Sequence, residues 1–210
     1  MQAGNWYALD YDCLHGLAHY EIALLDPSYK PKAMAFLKDD LVYFEAQSQV
    51  KPFHSPPAKS FRWGSAYEIL GAAIEALWYE DLSGDRSFKT LALSQRDYFL
   101  GGNPWGVCFV SGLGSIWAKH PHHQVADLSG VQFWGLWGEG PMLRPDWRDL
   151  GIVLSLPDKY AAFQSAPAVY HDDVEDYATN EPTITINSFG LTLASWYASP
   201  VYPFTSRDGE

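Results

Sequence analysis

Two short stretches carry residue types that could do chemistry. The first runs from 172 to 181 and gathers five carboxylates: Asp172, Asp173, Glu175, Asp176 and Glu181. Crowded acids among apolar walls hold a proton that an isolated one would release, which is what general acid catalysis requires. Most of the five read as a solvated acidic loop. Glu181 differs, because it stands between Asn180 and Pro182. An amide side chain followed by an acid and a proline reads as a helix start, with Asn180 as cap and the proline where its missing N–H costs nothing. A helix dipole there favours the ionised carboxylate. On these residues alone a structural glutamate therefore competes with a proton donor. The residues that follow, Thr183-Ile184-Thr185-Ile186, alternate polar and apolar and also allow a half-buried strand.

The second stretch is His120-Pro121-His122-His123, with Asp127 close behind. Zinc needs three or four ligands in fixed geometry, and this spacing matches neither a helical His-x3-His pair nor a zinc finger, so no metal is assigned to it. Two readings stay open: loop histidines bonded to backbone, or imidazoles that hydrogen-bond a polar ligand such as a sugar, for which they offer both a donor and an acceptor. Ser111-Gly112-Leu113-Gly114-Ser115 is neither a phosphate loop nor a nucleophile elbow, since no Gly-Lys-Ser/Thr and no Gly-x-Ser-x-Gly is present.

These residues sit in a chain of 210 residues, enough for one domain (1–210) with a substantial core. Hydrophobic residues make up 47% and charged residues only 19%, which argues against disorder. Nine tryptophans suit either large core residues or a cleft lined with flat apolar faces. The net charge of −11 with scattered lysines and arginines argues against a nucleic-acid partner. No apolar run approaches the ~20 residues of a membrane span, and Gln2-Ala3-Gly4-Asn5 does not open a signal peptide. Cys13 and Cys108 are too few for a disulfide framework; one bridge between them stays open.

The elements that must position these residues are helices. Tyr11, Leu14, Leu17, Ala18, Ile22 and Leu25 recur at helical spacing, and Pro31 opens a second helix with Met34, Leu37, Leu41 and Phe44 on one face. Residues 49–62 read as loop. A third helix, from about Ser65 to Glu80, is apolar nearly all round and so predicts burial. Asp85 or Ser87 could cap a fourth helix, with Phe88, Leu91, Gln95 and Tyr98 inward, ended by Gly101-Gly102. Residues 101–145 lose all periodicity while staying rich in Gly, Pro, Trp and His, which predicts an ordered, site-building loop. Another helix is expected within 146–165.

In order and spacing, Trp63-Gly64-Ser65, Gln95 through Pro104, Gly112-Leu113-Gly114, Pro121-His122-His123, Gly140-Pro141 and Asp172 through Tyr177 to Asn180-Glu181 resemble the C-terminal part of the catalytic domain of family 9 glycoside hydrolases. The resemblance runs from roughly residue 5 to 199. It implies an all-α (α/α)6-barrel and inverting hydrolysis of β-1,4-glucan, cellulose-like or cello-oligosaccharide. Glu181 would be the general acid, at the start of a helix over 181–199. His122 and His123 would hydrogen-bond sugar hydroxyls, and Trp63 would be a platform for a glucose ring. Tyr177 and Asp172 would shape the surroundings of Glu181 as substrate-site residues. No organic cofactor is implied; a structural calcium, which some relatives bind, stays open with no ligands assigned. The partner is a β-linked oligo- or polysaccharide. Family habit implies an extracellular or periplasmic location.

The chain departs from the family pattern at three places. Many members carry arginine where Gln124 and Val174 stand, and tyrosine where Ile186 stands. That leaves the sugar open, including an amino-sugar glycan, and keeps a non-catalytic carbohydrate-binding remnant as the alternative. The family's base, an aspartate in an Asp-Ala-Gly-Asp stretch, has no counterpart here. The expectation is an incomplete barrel whose Ala-rich third helix is bare to water, poorly stable unless it pairs with a missing N-terminal segment or with itself. At ~25 cal/mol per Å², several hundred Å² of bare apolar surface would be a loss of many kcal/mol.

Overall fold

The computed structural model of the chain describes residue 9 and residues 13–164 and 167–199. Tyr11, expected to open the first helix, lies outside these. Eight α-helices follow in order: α1 (His15–Leu25), α2 (Lys30–Ser48), α3 (Ser65–Ser83), α4 (Lys89–Phe99), α5 (Gln124–Ser129), α6 (Arg144–Asp149), α7 (Tyr177–Asn180) and α8 (Ile184–Ala198). Two two-residue strands, β1 (Met142–Leu143) and β2 (Ala168–Val169), pair antiparallel with Met142 opposite Val169. The all-helical expectation holds, with this short clasp as the addition.

The helical stack is built on α3. Sixteen of its nineteen residues are buried, and α1, α2, α4 and α8 all pack against it. Burying Ile69, Leu70, Ile74 and Leu77 contributes about 1.5–3 kcal/mol each. α2 turns Ala33, Leu37, Leu41 and Phe44 inward, four positions at helical spacing. α4 buries Leu91, Gln95 and Tyr98. Asp85 takes the N–H of Ser87 in the turn before α4 and does not cap the helix, which has no side-chain cap at all.

The expectation of a bare third helix is wrong for this chain: Ala66, Ala72 and Ala73 are fully buried, because four helices cover α3. Apolar exposure lies instead on the flanks, at Ile184 (91%) and Leu191 (68%) on α8 and at Leu25 (83%) ending α1. No helix among the described residues is long and apolar enough to cross a membrane.

Glycine sets two close approaches. Gly64, at φ 63°, precedes α3, and a Cβ there would fall 2.5 Å from the Tyr67 ring and 2.8 Å from a Glu139 carboxylate oxygen. Gly190 lets the indole of Trp137 lie on α8; a Cβ would meet that ring at 2.2 Å. Through these contacts the irregular segment 101–180 folds back over the N-terminal end of α3 and the face of α8. Ala66 N–H donates to Glu139 O, and Gly140 N–H donates to Thr179 O. Loop 138–140 thus joins the start of α3 to α7.

Candidate functional site

The site forms where α7 ends. Asp176 caps α7, accepting the N–H groups of Ala178 and Thr179 on one carboxylate oxygen. Its other oxygen accepts from the Thr179 hydroxyl (2.8 Å), His171 Nδ1 (2.7 Å) and the Trp147 indole N–H (2.9 Å). Asn180 closes the turn. Its carbonyl side accepts from the Tyr170 hydroxyl at 3.0 Å, its NH2 donates to His120 O, and its backbone oxygen accepts from His122 N–H at 3.0 Å. Burial pushes the Tyr170 phenol well above its ordinary pKa, so it stays a donor. Glu181 follows directly on this clamped residue.

Glu181 is extended (φ −78°, ψ 128°), in the short link between α7 and α8. The expected helix start at Asn180 is therefore displaced. Thr183 is the cap of α8, accepting Ile186 N–H, and the helix spans Ile184–Ala198, not 181–199. The strand reading of 183–186 falls with it. Asn180 cannot cap because its amide is spent on Tyr170 and His120. Glu181 is half-buried, and its carboxylate has no hydrogen-bond partner among the described residues. Tyr67 O–H and Thr183 Oγ1 lie 2.9 Å apart and fasten this link to α3.

A row of rings is tied to the residue before Glu181, because His122 N–H donates to Asn180 O. Trp63, 46% exposed, sits 5.7 Å from Tyr177, and Tyr177 sits edge-to-face 5.8 Å from His122. The ring of His122 is held through Nδ1 by the carbonyl of Val174. A carbonyl only accepts, so Nδ1 carries the proton and neutral His122 keeps Nε2 as an acceptor. His123 is the reverse: its Nδ1 accepts Ala126 N–H as the cap of α5, which leaves Nε2–H a donor. Its ring packs 5.3 Å from Phe133. His120 lines a hollow of about 420 Å³ of mixed polar and apolar lining, with Lys119, Asp127, Gln132, Leu156 and Val174.

Asp172 lies beneath the site, not in it. Its carboxylate is wholly buried and accepts Lys119 N–H (2.8 Å), His120 N–H (2.7 Å) and Lys159 Nζ (2.6 Å). Expected as a substrate-site residue that shapes the surroundings of Glu181, Asp172 has its carboxylate enclosed and ties Lys119 and His120, just before His122, to Lys159. Burial pulls the Lys159 ammonium down, but the bond to Asp172, that carboxylate's charge and Tyr160 together hold it above its ordinary value. Asp173 accepts Ser155 N–H and hydroxyl, Leu156 N–H and Glu175 N–H. Burial pushes its carboxyl up, yet these donors together hold it below the usual range.

The structure thus brings Trp63, Tyr177 and His122 together, with His123 next along the chain, and ties His122 to Asn180, the residue before Glu181. Asp176 and Asn180 were missed as organisers. Asp176-x-x-Thr179 was a readable cap signal; Asn180 was read, but as the cap of the wrong helix. For a structural calcium, no group of three or more acidic side chains converges among the described residues. The one convergent set, His15, Asp40 and Glu75, includes an imidazole and lies elsewhere.

Known proteins share this arrangement of elements. The chain is 31% identical over 151 residues to a xyloglucan-specific endo-beta-1,4-glucanase, BoGH9A, of Bacteroides ovatus, covering 69% of this chain and 24% of that protein. It superposes on a metagenome-derived glycoside hydrolase family 9 endoglucanase at TM-score 0.65 and 27% identity, covering 83% of this chain and 30% of that one. It also superposes on AaCel9A, solved with cellobiose-like isofagomine, at TM-score 0.63 and 30% identity, covering 83% and 33%. The chain therefore spans about a quarter to a third of these relatives, and their (α/α)6-barrel fold covers most of it. Residues 8–194 match the model of glycosyl hydrolase family 9, and the chain belongs to that family.

Proposed function

We propose that this chain supplies the proton-donating side of a cleft that hydrolyses β-1,4-linked glucan with inversion. Glu181 protonates the departing glycosidic oxygen. An aspartate outside the 210 residues activates water on the opposite face of the sugar ring, ~6.5–9.5 Å away. Trp63 stacks on a glucose ring, His122 accepts from and His123 donates to sugar hydroxyls, and Tyr177 holds the first two apart at ring spacing. The location is extracellular or periplasmic, where a polymeric substrate is met.

One observation carries this reading. In the acidic run 172–181, Asp172, Asp173 and Asp176 are consumed by protein donors, and Glu175 is exposed. Glu181 alone is half-buried and uncommitted, and it directly follows Asn180, whose carbonyl holds the N–H of His122 in the Trp63–Tyr177–His122 row.

In protein that also contains the companion aspartate, Glu181→Gln lowers turnover of cello-oligosaccharides by about 10²–10⁴-fold. Aryl β-cellobiosides whose leaving group needs no proton lose far less. Equal loss on both substrates sinks the acid role. A second reading, a sugar-binding remnant, is favoured by Ile186: where many members carry tyrosine, this side chain is fully buried in the core. Binding of cello-oligosaccharides by calorimetry, without turnover once the companion aspartate is present, selects it.

A further inference from the structure

Far from the rings, three helices bring three metal-binding side chains together. His15 stands in the first turn of α1, Asp40 on α2 and Glu75 in the middle of α3. One donor atom from each lies within 4.8 Å of the others. His15 Nε2 is already 3.3 Å from Asp40 Oδ2. The opposite ring nitrogen, Nδ1, is 2.7 Å from the Cys13 sulfur. This cluster is ten residues down α3 from Ser65, ~15 Å along the axis, so it is separate from the Glu181 site.

Glu75 is what makes the cluster more than a chance grouping. It is fully buried, and neither carboxylate oxygen has a hydrogen-bond partner. A buried carboxylate without donors is costly unless it takes up a proton or a cation. Burial first, and the Asp40 charge second, push its carboxyl well up. Nothing polar on its own helix relieves it, since helical N–H groups are spent on the preceding turn. Among the described residues, the carboxylate of Asp40 and the imidazole of His15 converge on it from the packed helices. His19, one turn on, is occupied by the Tyr29 hydroxyl at 2.8 Å and by stacking on Phe36.

We propose that His15, Asp40 and Glu75 form a structural site for a borderline transition-metal cation, zinc(II), that staples α1, α2 and α3. The donor set selects the ion. One imidazole nitrogen with two carboxylate oxygens suits four-coordinate zinc, whereas calcium asks for six to eight oxygens. Tetrahedral zinc holds its ligand atoms ~3.3 Å apart. The His15–Asp40 pair is at that separation, and rotation of the Glu75 side chain closes the remainder. In the tautomer whose Nδ1–H donates to the Cys13 sulfur, Nε2 keeps its lone pair for the ion. His15 and Asp40 are each about a quarter exposed, which gives the ion a way in and leaves the fourth position to water.

The test uses the whole chain, stripped with chelator and titrated with zinc chloride in a calorimeter, with cobalt(II) chloride as a spectroscopic probe. One zinc per chain with micromolar affinity or tighter is expected, together with a raised melting temperature and the visible absorption of tetrahedral cobalt. Millimolar calcium chloride should produce neither. Glu75→Gln, which keeps the volume and removes the charge, and His15→Ala, at a half-buried site, should each weaken zinc binding at least tenfold while helical circular dichroism persists. Absence of zinc uptake by folded wild-type chain at tens of micromolar overturns the site and leaves Glu75 as a protonated core residue. So does undiminished affinity in both variants.

Discussion

Glu75 and the aspartates 172, 173 and 176 are all buried, yet the molecule treats them in opposite ways. On α3 the Glu75 carboxylate is enclosed with no donor among the described residues. In the irregular segment before α7, three carboxylates are enclosed and each accepts several N–H or O–H groups. The difference follows from the backbone. Inside a helix every N–H is used by the carbonyl four residues back. In a loop the N–H groups of Lys119, His120, Ser155, Leu156 and Glu175, and in the first turn of α7 those of Ala178 and Thr179, have no ladder to join, and a buried N–H must find a partner. The aspartates are those partners. The helical stack is held by apolar burial, and the site-bearing segment by charge-assisted hydrogen bonds.

The sharpest way to break that contrast is to delete a carboxylate from each half. Asp176→Ala leaves two N–H groups, a hydroxyl, an imidazole and an indole N–H without their acceptor. A loss of about 3–5 kcal/mol in urea unfolding is expected, with α7, and so Glu181, losing its anchor. Glu75→Gln in metal-free protein should cost little, because Glu75 has no donor to strand. Similar losses at both positions would end the distinction.

Acid sharpens it by sign. The folded Asp173 carboxyl titrates below its ordinary value, so the native state binds fewer protons than the unfolded chain as pH falls through ~3.9. Its contribution to stability is complete above that value and is lost as pH falls through the lower, folded pKa. Wild-type stability should therefore drop more steeply below about pH 4 than that of Asp173→Asn, and the two slopes should coincide near neutrality. Parallel curves across the acid range would remove Asp173 from the set of residues that hold the loop.

The same division governs what the sequence disclosed. Leu37, Leu41 and Phe44 on α2 and the all-round apolar α3 were legible because helical burial repeats every three or four residues. The catalytic glutamate candidate and the ring-bearing residues were legible through resemblance and motif order. The polar clamp was not. Asp172 meets Lys119 and His120 more than fifty positions back, and Asn180 meets His120 sixty positions back. No local period records pairs of that separation. The boundary before α8 was misread for a related reason. Asn180-Glu181-Pro182 has the composition of a helix start, and only a distant tyrosine and a carbonyl, which take up the Asn180 amide, reveal that Thr183 does the capping.

Thr183 is the point at which the two halves meet, and it gives the smallest test. Its hydroxyl accepts Ile186 N–H and is paired with the hydroxyl of Tyr67 on α3. Thr183→Ala removes one cap and should cost about 1 kcal/mol in urea unfolding, while Thr183→Ser should cost a few tenths. Tyr67→Phe removes the hydroxyl that links Thr183 to α3. If the link adds to the cap, the double variant loses less than the sum of the singles, because both changes delete the same bond. Strict additivity would mean that the Tyr67–Thr183 contact contributes nothing and that α8 is seated by Ile186, Phe189 and Leu193 alone. A loss as large as that of Asp176→Ala would mean the reverse: that the start of α8, and the short link carrying Glu181, belong energetically to the polar loop and not to the helical stack.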